Sequence, residues 1–519
     1  VTSINVTIMI TKSINFKDYD SSLMLGNVGI EKESLRISDL KLSKIPHNQV
    51  LGPALFNKYI TTDFSDAQME LITQPFNQNT YVISFLENLH HFASKKINGD
   101  ILWPLSMPPS SVKESEIPMA KYGKSNYGLL KEVYRHGLSN RYGKLMQTIS
   151  GVHFNYSLPE ELWENNIFFP SEKKSTFLKN KIYMGTIRNF HRYNWLLIYL
   201  FGCSPIISKH FLNKSYDFEN SNKEDYFLPF ATSLRMSDLG YQNDNQSRID
   251  VSFNSIEGYI RDLRNATEEP NREFMKIPLK TGSIFNQLNK NHLQIEDEYY
   301  AIARPKSNGI MPARQIHKIQ NTGINYIELR SIDLNPFNPI GIDIDTLNFL
   351  EIFSLYCTLK DSNNISVNEL TICKRNDLKV AVEGRKPGLK LNNKGEKILL
   401  RDWALEIIEE MHTMVEKFSN KVSDFDNSIT VMKERILDTN KTPSSRLLEL
   451  ILNRNITTNE LGYEFGSKYI EDYISIKKDS NQIWEKLETE IKNSILLQTK
   501  EDKMEQRSFD KFFNEYLSS

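Results

Sequence analysis

Four stretches of this chain alternate apolar and polar residues with period two, and their polar positions carry acids, a histidine or an arginine. In Gly29 to Arg36 (GIEKESLR) an extended backbone puts Glu31 and Glu33 on one side and Ile30 and Lys32 on the other. A helix would turn the two carboxylates about 200° apart. Ile60 to Thr73 (ITTDFSDAQMELIT) sets Gln68, Glu70 and Ile72 against Met69 and Leu71, with Asp63 at the entrance to the run. Thr148 to Ser157 (TISGVHFNYS) opposes Val152, Phe154 and Tyr156 to Gly151, His153, Asn155 and Ser157. In Tyr326 to Ile342 (YIELRSIDLNPFNPIGI), Glu328 and Arg330 share one face and Ile327 and Leu329 the other, before two Asn-Pro turns close the run. Singly, each has a plainer description: alternating acids make the wet face of a surface strand, Asp63 a turn or cap, and His153 a hydrogen-bonded structural residue. Their recurrence points instead to a sheet with one apolar face and one charged, cavity-forming face.

Five carboxylates gathered on one face repel one another, and divalent cations relieve that repulsion. Oxygen-rich sites suit magnesium or manganese better than zinc, and magnesium commonly bridges protein carboxylates and substrate phosphates. Arg330, and Arg235 in the turn-rich Ala231 to Asn243, supply cations for a phosphoryl or carboxylate oxygen. The residues therefore read as a metal-dependent phosphoryl-transfer site; no GxxxxGK[ST] loop is present, which excludes a P-loop enzyme. Lys+Arg 64 against Asp+Glu 65 leaves a net charge of -1 and no global field for nucleic acid. The mixture of aromatic and basic residues between Tyr122 and Tyr142 is not repeated elsewhere, so it does not make a nucleic-acid patch. Cys203, Cys357 and Cys373 are far apart and without CxxC spacing, which fits a reducing compartment. The opening residues lack the order of a secretory signal, and the longest apolar run, Trp195 to Phe201, is too short for a membrane span. The expected location is cytoplasmic.

Around these strands the spacing predicts helices. Ile83, Leu86, Leu89 and Phe92 mark one between Val82 and Ala93, and another runs from Arg188 to Phe201, ending at Gly202. Gln294, Glu296 and Glu298 alternate in the same way as the strands. Beyond about residue 345 the pattern is helical, with stripes at Trp403, Ile407, Ile408, Met411, Met414, Val415, Phe418 and at Ile483, Trp484, Leu487, Ile491, Ile495. Between them EGRKPGL (Glu383 to Leu389) is a basic loop able to touch phosphate. The expected organisation is an N-terminal segment 1–24, a catalytic sheet-and-helix core 25–345 and a mainly helical part 346–519 packed on it.

The strand motifs, with WPLSMP (Trp103 to Pro108), NRYGKLMQTISGVHFNYS (Asn140 to Ser157), SLRMSDLGY (Ser233 to Tyr241) and EGRKPGL, occur in an order that resembles the proteobacterial-type glutamate–cysteine ligases. That resemblance covers roughly residues 20 to 390. It implies an α+β fold related to glutamine synthetase, in which a curved antiparallel sheet forms a funnel-shaped active site with helices outside. It implies ligation of the L-glutamate γ-carboxylate to the amine of L-cysteine, with ATP as co-substrate, through a γ-glutamyl phosphate. By the same resemblance Glu31, Glu33, Asp63, Glu70, His153 and Glu328 are metal positions, and Arg235 and Arg330 neutralise phosphate or hold a substrate carboxylate. Phe64, Tyr134, Leu138, Gln147, Tyr241 and Tyr300 form the cysteine pocket; Arg330, Arg385 and Lys386 are candidates for ATP; Asp63 is a candidate to deprotonate the incoming amine. His136 and the run Tyr300 to Lys306 depart from the family pattern, both at the pocket. A ligase of the same fold for another amine, and a non-catalytic binding protein on this scaffold, are the alternatives. Oligomeric state stays open, a monomer being compatible.

Overall fold

The alternating stretches become neighbours in one antiparallel sheet. The computed structural model describes residues 26–97, 99–158, 176–212, 216–221, 224–240, 249–309, 312–416, 423–475 and 482–518; the N-terminal segment 1–24 and Tyr241 lie outside them. Strands β1 (Asn27–Ser38), β2 (Ile60–Thr62), β3 (Gln68–Ile72), β4 (Gly151–Ser157), β5 (Ala303–Lys306) and β6 (Tyr326–Asp333) pair in the order β5-β6-β4-β1-β3-β2. Two short strands, Lys41–Leu42 and Ile101–Leu102, extend the far half of β1.

Register decides which side chains meet. Glu31 lies opposite His153 on one flank and Ile72 on the other, Glu33 opposite Glu70, and Glu328 opposite Asn155 and Arg304. Directly paired residues in a sheet point to the same face, so the acids, His153, Asn155, Arg304 and Arg330 line one side. An irregularity in the β6–β4 pairing between Leu329 and Ile332 bends β6 just where Arg330 sits.

The reverse face carries Ile30, Met69, Leu71, Val152, Phe154, Tyr156, Ile327 and Leu329, all buried. Helices α1 (Asn79–Lys96) and α3 (Thr176–Phe201) cover it. In chain order α2 (Asn126–Tyr142) and α4 (Gln315–Thr322) flank the charged face, and α5 (Ile344–Leu359) joins the rear layer. Phe190 of α3 stacks on Phe353 of α5 at 5.6 Å. Local sequence fixes the helix ends: Ser125 accepts from the Gly128 amide and Asp343 from the Thr346 amide, N-caps typically worth about 1 kcal/mol each. α2 stops at Gly143, whose φ of 82° suits glycine.

Beyond residue 345 the chain is helical, as expected, apart from one hairpin at Lys390–Leu399: α6 (Val367–Glu383), α7 (Leu400–Val415), three helices at Ser423–Leu437, Pro443–Arg454 and Thr458–Ser475, α8 (Gln482–Lys503) and α9 (Phe509–Ser518). The α7 stripe is buried from Trp403 to Val415, whereas Phe418 lies outside the described residues. On α8, Trp484 and Leu487 are buried and Trp484 meets Phe92 edge-on at 4.8 Å, but Ile495 is exposed on the outward face of the helix, the inward positions of that stretch being taken by the buried Ser494 and Gln498. The stretch around Glu296 departs from expectation. It is a 3-10 turn, Glu296–Glu298, not a strand, because its acids are taken by arginines at 2.8 Å (Glu296 with Arg314) and 3.0 Å (Glu298 with Arg141).

Candidate active site

The charged face forms the floor of a cavity of about 370 Å³, walled by α2, α4 and the turn at Glu296–Glu298. Glu31, Asp63, Glu70, His153, Glu328 and Arg330 all line it. Oxygen or nitrogen atoms of Glu31, Glu70 and His153 lie within 4.8 Å of one another, a spacing that one cation can span. His153 Nδ1 is 3.3 Å from Glu31 and 3.5 Å from Glu328, and its Nε2 is 3.5 Å from Glu33. Glu33 lies deeper, one oxygen accepting from the Gly151 amide at 2.9 Å. Asp63 follows β2 and is held through its carbonyl, which accepts from Arg135 Nε at 2.6 Å and from the Tyr122 hydroxyl at 3.1 Å.

The five acids do not share one environment. Burial pushes Glu70 up, and Glu31, Asp63, Glu33 and Glu328 push it further, well above the usual carboxylate range. Burial also raises Glu33. At Glu328 burial is outweighed by Lys306, Arg330, His153 and Arg304, which hold it well below that range. Glu31 is lowered despite burial, chiefly by its hydrogen bond from His153. Lys306 Nζ lies 3.0 Å from Glu328 and Arg330 Nη1 2.8 Å from the same carboxylate, so Glu328 is already neutralised by protein cations. The cavity is therefore polarised. Its β1–β3 side has surplus negative charge and a strained Glu70, which fits a divalent cation; its β5–β6 side has surplus positive charge, which fits phosphate oxygens.

Phe64, Tyr134, Leu138, Gln147 and Tyr300 line the same cavity. Burial pushes the Tyr300 phenol up, so it stays a neutral donor. On α2 the lining residues Tyr127, Lys131, Tyr134, Arg135 and Leu138 fall at helical spacing along one face. Lys131 is near the rings of Tyr122 (5.5 Å) and Tyr127 (5.7 Å), and burial lowers it to about 8.

Three expected contributors stand elsewhere. Arg235 is buried beneath the floor, not in the cavity wall: Nη2 donates to the Arg330 carbonyl at 2.9 Å, and Nη1 is 3.6 Å from Asp333. It supports Arg330 and packs so closely against Gly151 that a Cβ there would collide with its guanidinium. Arg385 is not brought to the cavity. Its fork donates to the carbonyls of Ala231 (3.1 Å) and Pro229 (2.8 Å) and to Ser445 (3.2 Å), where burial lowers it to about 10. Lys386 is exposed beside Glu383 at 3.0 Å. The Glu383 to Leu389 loop is a structural junction between α6 and the segment before Arg235, and the cations that line the β5–β6 side of the cavity are instead Arg304, Lys306 and Arg330.

Arg304, Lys306, Asn155, Lys131 and Arg135 were not singled out by sequence as site residues. Asn155 Nδ2 donates to Glu31 at 2.9 Å, and its place on the His153 face was the available signal. Arg304 and Lys306 alternate in β5 as Glu328 and Arg330 do in β6. The three cysteines are free and buried, their thiols pushed up by burial. Among the described residues no helix is long and apolar enough to cross a membrane.

Known proteins share both the sequence and the fold of this chain. The profile of the glutamate-cysteine ligase family matches residues 12–380. The chain is 37% identical over 502 residues to the glutamate–cysteine ligase of Alcanivorax borkumensis, spanning 94% of this chain and 95% of that one. It is 38% identical over 499 residues to that of Aliivibrio fischeri, with the same coverage of 94% and 95%. Among solved structures, a Francisella tularensis glutamate–cysteine ligase in complex with AMP superimposes with a TM-score of 0.90 at 33% identity, covering 96% of this chain and 99% of that one. A bifunctional glutathione synthetase from Pasteurella multocida gives 0.71 at 25% identity over 90% of this chain and 55% of its own.

Proposed function

The chain belongs to the glutamate–cysteine ligase family, and we propose that it performs the family's reaction with the cavity residues in the following roles. The reaction joins the γ-carboxylate of L-glutamate to the amine of L-cysteine, with ATP converted to ADP and phosphate, and it makes γ-glutamylcysteine, the first intermediate of glutathione synthesis. The polarisation of the cavity, acids on β1 and β3 facing cations on β5 and β6, is the observation that carries the assignment of roles.

A carboxylate is a poor acyl donor, so the glutamate γ-carboxylate oxygen first attacks the γ-phosphorus of ATP. Arg330, Lys306 and Arg304 receive the charge that spreads over the phosphoryl oxygens; groups placed this way typically contribute 10²–10³-fold each. Glu31, Glu70 and His153, with Asp63 beside them, would hold magnesium, or manganese, which would offset the charge of the triphosphate, while Glu328 stays paired to Lys306 and Arg330 at the border of that site. The protein's own part is to keep these acids preorganised, with Glu33 fixed on the Gly151 amide and Asn155 on Glu31.

Phe64, Tyr134, Leu138, Gln147 and Tyr300 hold cysteine, with the neutral phenols as donors to its carboxylate. Asp63, adjoining Phe64 in the wall, takes the proton from the attacking amine. The amine then displaces phosphate from the acyl carbon. Substrates of this kind and three buried thiols fit a cytoplasmic enzyme.

The test is release of ADP and formation of γ-glutamylcysteine with magnesium varied and with cysteine, 2-aminobutyrate or ammonia as acceptor. Cysteine- and magnesium-dependent product is expected. ADP release that ignores cysteine but responds to another amine would assign the chain to a different acceptor, because a small apolar pocket alone discriminates weakly.

A further inference from the structure

Helix α9 (Phe509–Ser518) has Phe509, Phe512, Phe513, Tyr516 and Leu517 on one face at the i, i+3, i+4, i+7, i+8 spacing of an amphipathic helix. That face packs on Leu130 and Val133 of α2 and on Leu288 and Ile295. Leu130 and Ile295 themselves line the catalytic cavity on their inner side, and Tyr516 reaches past them into the wall between Tyr127, Lys131 and Asp297. A residue from the far end of the sequence thus shares a cavity with Glu31, Glu70, His153 and Glu328.

Both ends of α9 are tied down. At its last turn the Leu517 carbonyl accepts from Arg314 Nη1 at 3.2 Å; Arg314 is buried, paired to Glu296 at 2.8 Å and bonded to Thr267 at 3.2 Å. Just before the helix, Asn126 at the start of α2 donates through Nδ2 to the Arg507 carbonyl at 2.8 Å and through its amide to Gln506 at 3.1 Å. These latches run to α2 and to the loop before α4, the same elements that wall the cavity. The helix packs on the outer side of α2 and of Ile295, and at its start on Phe285, whose ring lies 4.8 Å from that of Phe509.

We propose that α9 is the water-excluding wall of the catalytic cavity, with the Tyr516 ring as its inner surface, and that its docking couples ATP cleavage to amide formation. This rests on the acyl-phosphate reading above. With the wall removed, a water oxygen attacks the acyl carbon of γ-glutamyl phosphate and the carbon–oxygen bond to phosphate breaks. The bonding pair leaves with phosphate, and the water gives up a proton. Glutamate and phosphate are regenerated, ADP has been formed, and no dipeptide results.

The experiment measures ADP and γ-glutamylcysteine in the same reaction of the full chain. The wild type gives one of each, whereas Tyr516→Ala raises the ratio of ADP to dipeptide to about three or more as water enters. Tyr516→Phe stays at one-to-one, since the ring and not the hydroxyl forms the wall; Arg314→Gln falls between. Should Tyr516→Ala not fold, Tyr516→Leu and Tyr516→Ser are the graded pair, the serine variant the more uncoupled. One-to-one stoichiometry in every small-residue variant, at whatever turnover, overturns the proposal. Absence of dipeptide from the wild type would instead overturn the ligase assignment, and the two failures are distinct.

Discussion

Replacing Glu70 by glutamine should stabilise the metal-free protein while crippling the enzyme. Glu70 and Glu31 place oxygens within 4.8 Å of each other. Two unit charges at that distance repel by about 3.5 kcal/mol at an effective dielectric of about 20. Glu70 is partly open to the cavity, and water there reduces this to about 2 kcal/mol. The sign follows from its raised pKa. The folded chain holds the Glu70 proton more tightly than the unfolded chain, so stability is full below the ordinary carboxylate value, about 4.3, and is lost as pH rises toward the raised folded value. Glutamine cannot ionise and escapes that loss. With an unfolding entropy of roughly 2.1 cal/mol/K per residue, a chain of 519 residues converts 2 kcal/mol into about 2 °C.

Thermal unfolding in a chelating buffer should therefore show Glu70→Gln about 2 °C above wild type at pH 8, with the difference shrinking as pH falls and gone below about pH 4. Magnesium should raise the wild-type midpoint more than that of the variant, and ligase turnover should fall about 100-fold or more. A variant less stable than wild type at pH 8 without metal, or a difference that ignores pH, would refute the reasoning: Glu70 would then be paired with a group that offsets its charge, not repelled by its neighbours.

Lys306→Met leaves Glu328 with one counter-charge fewer and takes a cation from the phosphate side; kcat should fall about 10²–10³-fold with the cysteine KM little changed, as steady-state kinetics would show. Tyr300→Phe should raise the cysteine KM about tenfold, the cost of one hydrogen bond, and an equal change in the ATP KM would count against the assignment. Arg385→Ala should cost about 1–3 kcal/mol in denaturant unfolding, because it strips a donor fork from the Pro229 and Ala231 carbonyls, and should leave the ATP KM where it was.

Period-two alternation made the catalytic floor legible because each strand encodes its own two faces. Which strand lies beside which is encoded nowhere locally. The opposition of Glu328 to Arg304, which gives the cavity its side of surplus positive charge, exists only through the β5–β6 pairing. Arg304 and Lys306 were therefore visible as residues and invisible as partners. Arg385 failed in the opposite direction: a basic, glycine-flanked loop looks like a phosphate clamp until tertiary structure supplies the Pro229 and Ala231 carbonyls. Glu296 and Glu298 mimicked a strand because alternation over five residues is also met by a turn whose acids reach Arg314 and Arg141. The reach of α9 into the cavity had no signal at all, since an amphipathic stripe does not say what it covers.

Lys32 shows why the strand faces could be trusted. Placed by alternation opposite Glu31 and Glu33, it lies buried behind the sheet, where burial lowers its ammonium to about 7 and the hydroxyl of Ser34 is its near partner. That burial is costly, yet a slip of β1 by one residue would be worse. It would drive Glu31 and Glu33 into the layer of Phe154, Tyr156 and Leu71, away from His153 and Asn155, and turn Ile30 into the cavity. Two buried acids without partners outweigh one buried lysine with a hydroxyl, so the register that forms the charged floor is also the one the core requires. The same apolar residues that fold the sheet thereby set where the catalytic charges point.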